Sequence, residues 1–129
     1  MENTNTVPKI SVIIPTIGEP RKEKLNNLLS EIEKQTFTSR EVLVIEGENR
    51  QGRAINKGAV RARGEILVIL DDDASLGHDN VFKNMAEVLE SDRSIGMVGT
   101  SVIPRPDDSS FQKNVIRQLS RQYCPVRIR

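Results

Sequence analysis

The most restrictive feature of the sequence is a run of five apolar residues, Ile66-Leu67-Val68-Ile69-Leu70, that breaks without transition into Asp71-Asp72-Asp73. An unbroken apolar run of this length suits a strand covered on both faces, which calls for helices above and below a parallel sheet. Two more runs share the pattern. Ile10-Ser11-Val12-Ile13-Ile14 is closed by Pro15, and Val42-Leu43-Val44-Ile45 is closed by a polar stretch from Glu46 to Asn49.

Helical spacing fills the intervals. After Gly18 and Pro20, Leu25, Leu28, Leu29 and Ile32 fall at i, i+3, i+4 and i+7, which predicts a helix over 21–35 with Pro20 at its start. Ile55, Ala59 and Ala62 predict a shorter helix over 53–63 whose buried face is made of small residues, with Gly64 as its C-terminal cap. Further on, Phe82, Met85, Val88 and Leu89 predict a helix capped by Asp79 or Asn80. Residues 97–103 predict a fourth strand, and Phe111, Val115 and Leu119 a last helix capped by Asp108 or Ser109. Strand–helix–strand order with right-handed crossovers predicts an α/β fold, a Rossmann-like three-layer α/β/α arrangement around a mostly parallel sheet.

A chain of 129 residues has no room for a second full domain. The expected organisation is a polar extension over 1–8, a core over 9–103 and a basic helical tail over 104–129. Nineteen basic against 18 acidic residues leave a net charge of +1, so no nucleic-acid partner is expected. The tail is more basic than the rest, with Arg105, Lys113, Arg117, Arg121, Arg127 and Arg129 against Asp107 and Asp108. A solvated helix face explains that charge; peripheral contact with lipid phosphate is the alternative. The lone Cys124 has no partner for an internal disulfide, and the polar first nine residues and short apolar runs supply neither a signal peptide nor a membrane span. A cytoplasmic protein is the expectation, with self-association left open.

In open α/β sheets ligands bind beyond the carboxyl ends of the strands. Here those ends carry Pro15 and Thr16, then Glu46, then Asp71-Asp72-Asp73, and all three groups are expected on one edge. Three adjacent carboxylates repel one another unless a cation joins them. Mg²⁺ or Mn²⁺ suits such oxygens and takes one or two carboxylates together with substrate phosphates. If the chain stays extended there, Asp71 and Asp73 share one side and Asp72 points away. A metal bridging a diphosphate stabilises the charge of a departing nucleoside diphosphate. Arg53, Asn56 and Lys57, on the helix that leads into the same strand, could add a cation or hydrogen bonds.

With these residues in view, the chain resembles the N-terminal, nucleotide-sugar-binding part of family-2 glycosyltransferases, which have the GT-A fold. The resemblance spans about 9–103 and is carried by Ser11-Val12-Ile13-Ile14-Pro15-Thr16, by Gln35-Thr36-Phe37, by Val44-Ile45-Glu46, by Gly52-Arg53-Ala54-Ile55-Asn56-Lys57-Gly58-Ala59, and by the segment from Ala62 to Asp73. It implies a metal-dependent, inverting transfer of a sugar from a nucleoside diphosphate sugar, a UDP-sugar being favoured, to an acceptor the sequence does not identify. Pro15 and Thr16 would lie beside the nucleobase, Glu46 would stand where an aspartate usually touches the base, and Arg53 and Asn56 would line the nucleotide pocket. Asp71-Asp72-Asp73 resembles the DxD motif, with Asp71 toward the ribose and Asp73 on the metal; Asp71 is the second candidate ligand, Asp72 belongs to the same pocket, and Glu19 is a further candidate there. Gly58 and Gly64 are expected to serve helix packing and capping.

The sequence departs from the family pattern at Ile17-Gly18-Glu19-Pro20, where an aromatic residue often follows the Pro-Thr pair, and at Gly47-Glu48-Asn49, in place of an aspartate-glycine-serine turn. The resemblance also implies an acceptor half with a catalytic carboxylate beyond the residues matched here, and no general base is assigned; Asp107 and Asp108 read as helix caps. A non-catalytic nucleotide-sugar-binding or assembly module is therefore the alternative function. A phosphoacceptor domain would need an acidic residue where Pro15-Thr16 stands, and a sugar nucleotidyltransferase would need a glycine-rich loop after the first strand. His78 reads as a surface residue, Cys124 as inert, and Phe37 and Tyr123 as packing residues.

Overall fold

The computed structural model describes residues 6–100, 107, 109–117 and 127–128, and the chain divides into two compact units, 1–80 and 81–129. In the first unit, β1 (Ile10–Thr16) lies between β2 (Arg40–Glu46) and β3 (Ile66–Ile69), all parallel, in the order β2-β1-β3. A single 3-10 turn, Glu19–Arg21, leads into α1 (Lys22–Glu33), and α2 (Gln51–Arg61) joins β2 to β3. Since β2 and β3 flank β1 on opposite sides, right-handed crossovers place α1 and α2 on opposite faces. The Rossmann-like α/β arrangement expected from the apolar runs is thus present as a small three-stranded sheet.

Register sorts the side chains by face. Ser11, Ile13 and Pro15 share one face with Leu43, Ile45, Leu67 and Ile69. There α2 packs so closely that a Cβ at Gly58 would lie 2.6 Å from Cγ2 of Ile13, and Ile13, Ile45 and Ala54 form a buried cluster flanked by Leu43 and Ala59. The other face carries Ile10, Val12, Ile14 and Val68, all buried, while α1 buries Leu25, Leu28 and Ile32. Only β1 is covered throughout. Val44, Leu67 and Ile69 are exposed, so the expectation that all three strands are fully buried is corrected: β2 and β3 are the sheet's edges among the described residues.

Other expectations shift for physical reasons. Pro15 does not end β1. The Ile13 carbonyl accepts the Leu70 N–H, so Pro15, two residues on, also faces the β3 side, where the ladder has already stopped and its missing N–H removes no bond. Helix α2 starts at Gln51 and buries Ala54 and Gly58, with Ile55 and Ala59 beside them, so its buried stripe is one position from the expected one. Gly64 is no cap: the helix ends on Ala62 with extended backbone, and Gly64 instead meets β1, where a Cβ would be 2.8 Å from the Ile10 carbonyl carbon and the Ser11 nitrogen.

The second unit holds α3 (Val81–Glu90), with Phe82 and Ala86 buried, and a two-stranded antiparallel ribbon of β4 (Met97–Val98) and β5 (Arg127–Ile128). The fourth strand therefore does not extend the parallel sheet, and its expected portion over 101–103 lies outside the described residues. Helix α4 (Ser110–Arg117) is capped by Ser109: the Gln112 N–H donates to Ser109 Oγ at 3.1 Å and the Ser109 N–H to Gln112 Oε1 at 2.8 Å, a reciprocal capping box. Asp108, Leu119, Tyr123, Cys124, Arg105, Arg121 and Arg129 also lie outside the described residues. No helix among those described is long and apolar enough to cross a membrane.

Candidate donor site at the carboxyl edge

The acidic run leaves β3 through a tight turn in which the Ala74 N–H donates to the Asp71 carbonyl at 3.0 Å. This reversal corrects the extended geometry expected for Asp71, Asp72 and Asp73. Asp72, at the turn's centre, is 6% exposed, and its Oδ2 accepts the Thr16 hydroxyl at 2.8 Å. Its Oδ1 lies 3.2 Å from the Arg21 guanidinium, whose same nitrogen lies 3.1 Å from Asp73 Oδ2. On the other side, Gln51 Nε2 donates to Asp71 Oδ1 at 3.0 Å. Each aspartate thus has a partner, Asp72 and Asp73 sharing Arg21, whose charge relieves the repulsion between those two carboxylates.

Thr16 connects this turn to the rest of the edge. It is the register partner of Glu46, and its Oγ1 also accepts the Gly18 N–H at 3.2 Å. Gly18 has φ +96°, a backbone conformation that calls for glycine, and it lies against the far end of the exposed Glu46 side chain. The Glu46 side chain is exposed and no hydrogen bond or ion pair engages it among the described residues. Thr16, Glu46 and the acidic turn therefore share one edge, with Pro15 half-buried beside them.

Among the described residues, no hydrogen bond or ion pair joins the other sequence candidates to the aspartates. Glu19 is exposed and pairs with Lys22 at 3.3 Å. Arg53, Asn56 and Lys57 line, with Val60 and Arg61, a groove of about 400 Å³ along α2. Lys57 is engaged by Glu48 at 3.0 Å; that hydrogen bond holds the Glu48 carboxyl below its ordinary pKa, outweighing desolvation, with help from the Lys57 and Arg53 charges and an Arg50 backbone hydrogen bond. Exposed His78 accepts the Asn80 N–H at 3.0 Å through Nδ1. Asp107 is exposed, in the second unit.

Sequence reasoning missed Arg21 and Gln51, and also the way α1 ties down the segment after the aspartates. Glu31 accepts the Ser75 hydroxyl at 3.0 Å and the Leu76 N–H at 2.6 Å. Buried Gln35 donates to the His78 carbonyl at 2.7 Å, the Thr36 N–H to the Asp79 carbonyl at 2.8 Å, and the Thr36 hydroxyl to Asn80 Oδ1 at 2.7 Å. The Gln35-Thr36 pair thus serves as a clamp on the residues that follow the acidic turn.

Among the described residues, no three His, Cys, Asp or Glu side chains converge on a point that could hold a metal ion. Mg²⁺ and Mn²⁺ do not require such a cage, since they bind through one or two carboxylates and complete their shells with water and phosphate. The donor set fits that mode: Asp71 and Asp73 present exposed carboxylate oxygens, and a cation, the Arg21 guanidinium, already stands between Asp72 and Asp73.

A three-stranded parallel sheet with a helix crossover on each face and polar side chains gathered at its carboxyl edge is a Rossmann-like α/β unit. The sequence pattern of Glycosyl transferase family 2 matches residues 41–127, about two thirds of the chain, and the chain belongs to that family. The match takes in β2, α2, β3 and the acidic turn; β1 precedes it and is joined to it by the Thr16–Asp72 hydrogen bond. No curated protein matches the chain.

Proposed function

We propose that the carboxyl edge of β1, β2 and β3 binds the donor of a glycosyl transfer, a nucleoside diphosphate sugar for which UDP is the favoured carrier, together with Mg²⁺ or Mn²⁺. The observation that carries this reading is the Thr16–Asp72 hydrogen bond at 2.8 Å, which fixes the acidic turn to the end of the central strand beside Glu46. Buried Asp72 is the anchor, and Asp73, with Asp71 as second candidate, faces the metal and diphosphate. Bound there, the metal would neutralise charge on the departing nucleoside diphosphate. Glu46, Pro15 and Thr16 form the side offered to the nucleobase. Arg53 and Asn56, in the groove along α2, are the further nucleotide-pocket candidates.

An inverting transfer also needs a base to take the acceptor's proton. None of the described carboxylates at this edge is assigned that role, so donor binding is the function proposed for these residues and transfer the role of the family. Calorimetric titration with UDP, GDP and their sugars, with and without Mn²⁺, tests the reading. Metal-dependent binding of one nucleotide is expected; no binding of any of them overturns it.

A further inference from the structure

The acidic turn already contains a cation. Arg21 reaches Asp72 at 3.2 Å and Asp73 at 3.1 Å through one guanidinium nitrogen, and the two contacts differ in environment. The Asp72 side chain is 9% exposed and also bound by Thr16, whereas that of Asp73 is 44% exposed. A contact to a nearly buried carboxylate is retained more strongly than one in water, where an ion pair adds little. The Asp73 contact is thus the weaker of the two, and Asp73 is the carboxylate that the donor-site reading assigns to the metal.

Resting on that reading, we propose that Arg21 is the resident counter-cation of the acidic turn and that a divalent metal loads the site by taking the Asp73 carboxylate from it, while the guanidinium stays on Asp72. The 3-10 turn Glu19–Arg21 is what makes this feasible, since it begins just past Gly18 and presents Arg21 to a turn 51 residues away in sequence. Arg21 acts as a positioning residue. It keeps the turn folded before the donor arrives and lowers the site's affinity for metal alone, because a second cation must both displace it and approach its charge.

The test is Mn²⁺ binding to the whole chain, by electron paramagnetic resonance of the uncomplexed ion, for the unaltered protein, Arg21→Gln and Arg21→Lys, alongside melting curves in EDTA and in Mn²⁺. Arg21→Gln should bind Mn²⁺ about three- to tenfold more tightly than the unaltered protein, since it removes a competing charge. It should also melt earlier in EDTA and recover more of its midpoint on adding Mn²⁺, while Arg21→Lys stays close to the unaltered protein in affinity. Equal or weaker Mn²⁺ binding by Arg21→Gln overturns the inference and leaves the metal site standing. An Arg21→Gln protein that remains unfolded in Mn²⁺ overturns it too, because Arg21 would then be structural and not interchangeable with metal. If no variant takes up Mn²⁺ even with UDP or GDP present, the donor-site reading falls along with it.

Discussion

The two ends of the parallel sheet both anchor carboxylates, but they leave them exposed to different extents. At the amino end, Glu41 accepts from the Ser11 hydroxyl at 3.0 Å, the Arg63 N–H at 3.0 Å and Arg63 Nε at 2.9 Å, and Ser11 Oγ in turn accepts the Gly64 N–H at 2.8 Å. Lys9 and Glu65 form an ion pair alongside. Every partner there belongs to the chain, and Gly64 lies directly on β1. At the carboxyl end, Asp72 is closed off in the same manner by Thr16 and Arg21, but Asp71, Asp73 and Glu46 stand exposed around it. A carboxylate with its acceptors filled by the chain holds a fold together; one left exposed beside an anchored neighbour is what the proposed donor site would offer a ligand.

If this contrast holds, substitutions at the amino end change stability and leave donor binding alone. The largest loss is expected for Gly64→Ala, whose new methyl would meet the backbone of Ile10 and Ser11, which cannot move aside; chemical denaturation should show a loss of about 3 kcal/mol. Asp72→Ala comes next and affects both properties: it strips Thr16 and half-exposed Arg21 of a shared partner, a loss of about 1–2 kcal/mol by denaturation, and it should abolish nucleotide binding. Ser11→Ala should cost about 1 kcal/mol in the same measurement, with nucleotide binding unchanged in calorimetry.

The smallest expected effect is a pH dependence. Burial raises the Glu41 pKa, but the Arg63 backbone and side-chain hydrogen bonds, the Ser11 hydroxyl and the Arg63 charge more than offset it, so the folded-state value lies below the ordinary 4.5. The ionised carboxylate therefore adds stability above the unfolded value, and that contribution is lost as pH falls through the folded one. Denaturation midpoints followed from about pH 6 down to 3 should fall less steeply for Glu41→Gln than for the unaltered protein. Identical slopes would remove Glu41 from the account of the amino end.

Much of this arrangement is legible in the sequence because parallel strands are apolar throughout and stop abruptly. Ile66 to Leu70 followed by three aspartates announces both a strand and its carboxyl end, and the stripe of Leu25, Leu28 and Ile32 announces the helix before β2. Strand order carries no such signature, so the exposure of Val44, Leu67 and Ile69 on edge strands was not foreseeable from periodicity. Pro15 reads as a terminator because the rule assumes a ladder on both sides, and β3 stops short of it. Gly64 follows a helix and reads as a cap, when what demands glycine is contact with a strand 53 residues earlier. Arg21 leaves no trace either: an arginine at a helix start looks solvated until the fold sets it against Asp72 and Asp73.

The difference between the two ends is tested most directly by calorimetric titration of UDP in the presence of Mn²⁺ into the unaltered protein, Asp73→Ala and Ser11→Ala. Asp73→Ala should match the unaltered protein's stability to within about 0.5 kcal/mol, since it removes only an exposed ion pair, yet lose the metal-dependent heat. Ser11→Ala should keep that heat. Undiminished binding by Asp73→Ala would contradict the assignment of the carboxyl edge as the donor site.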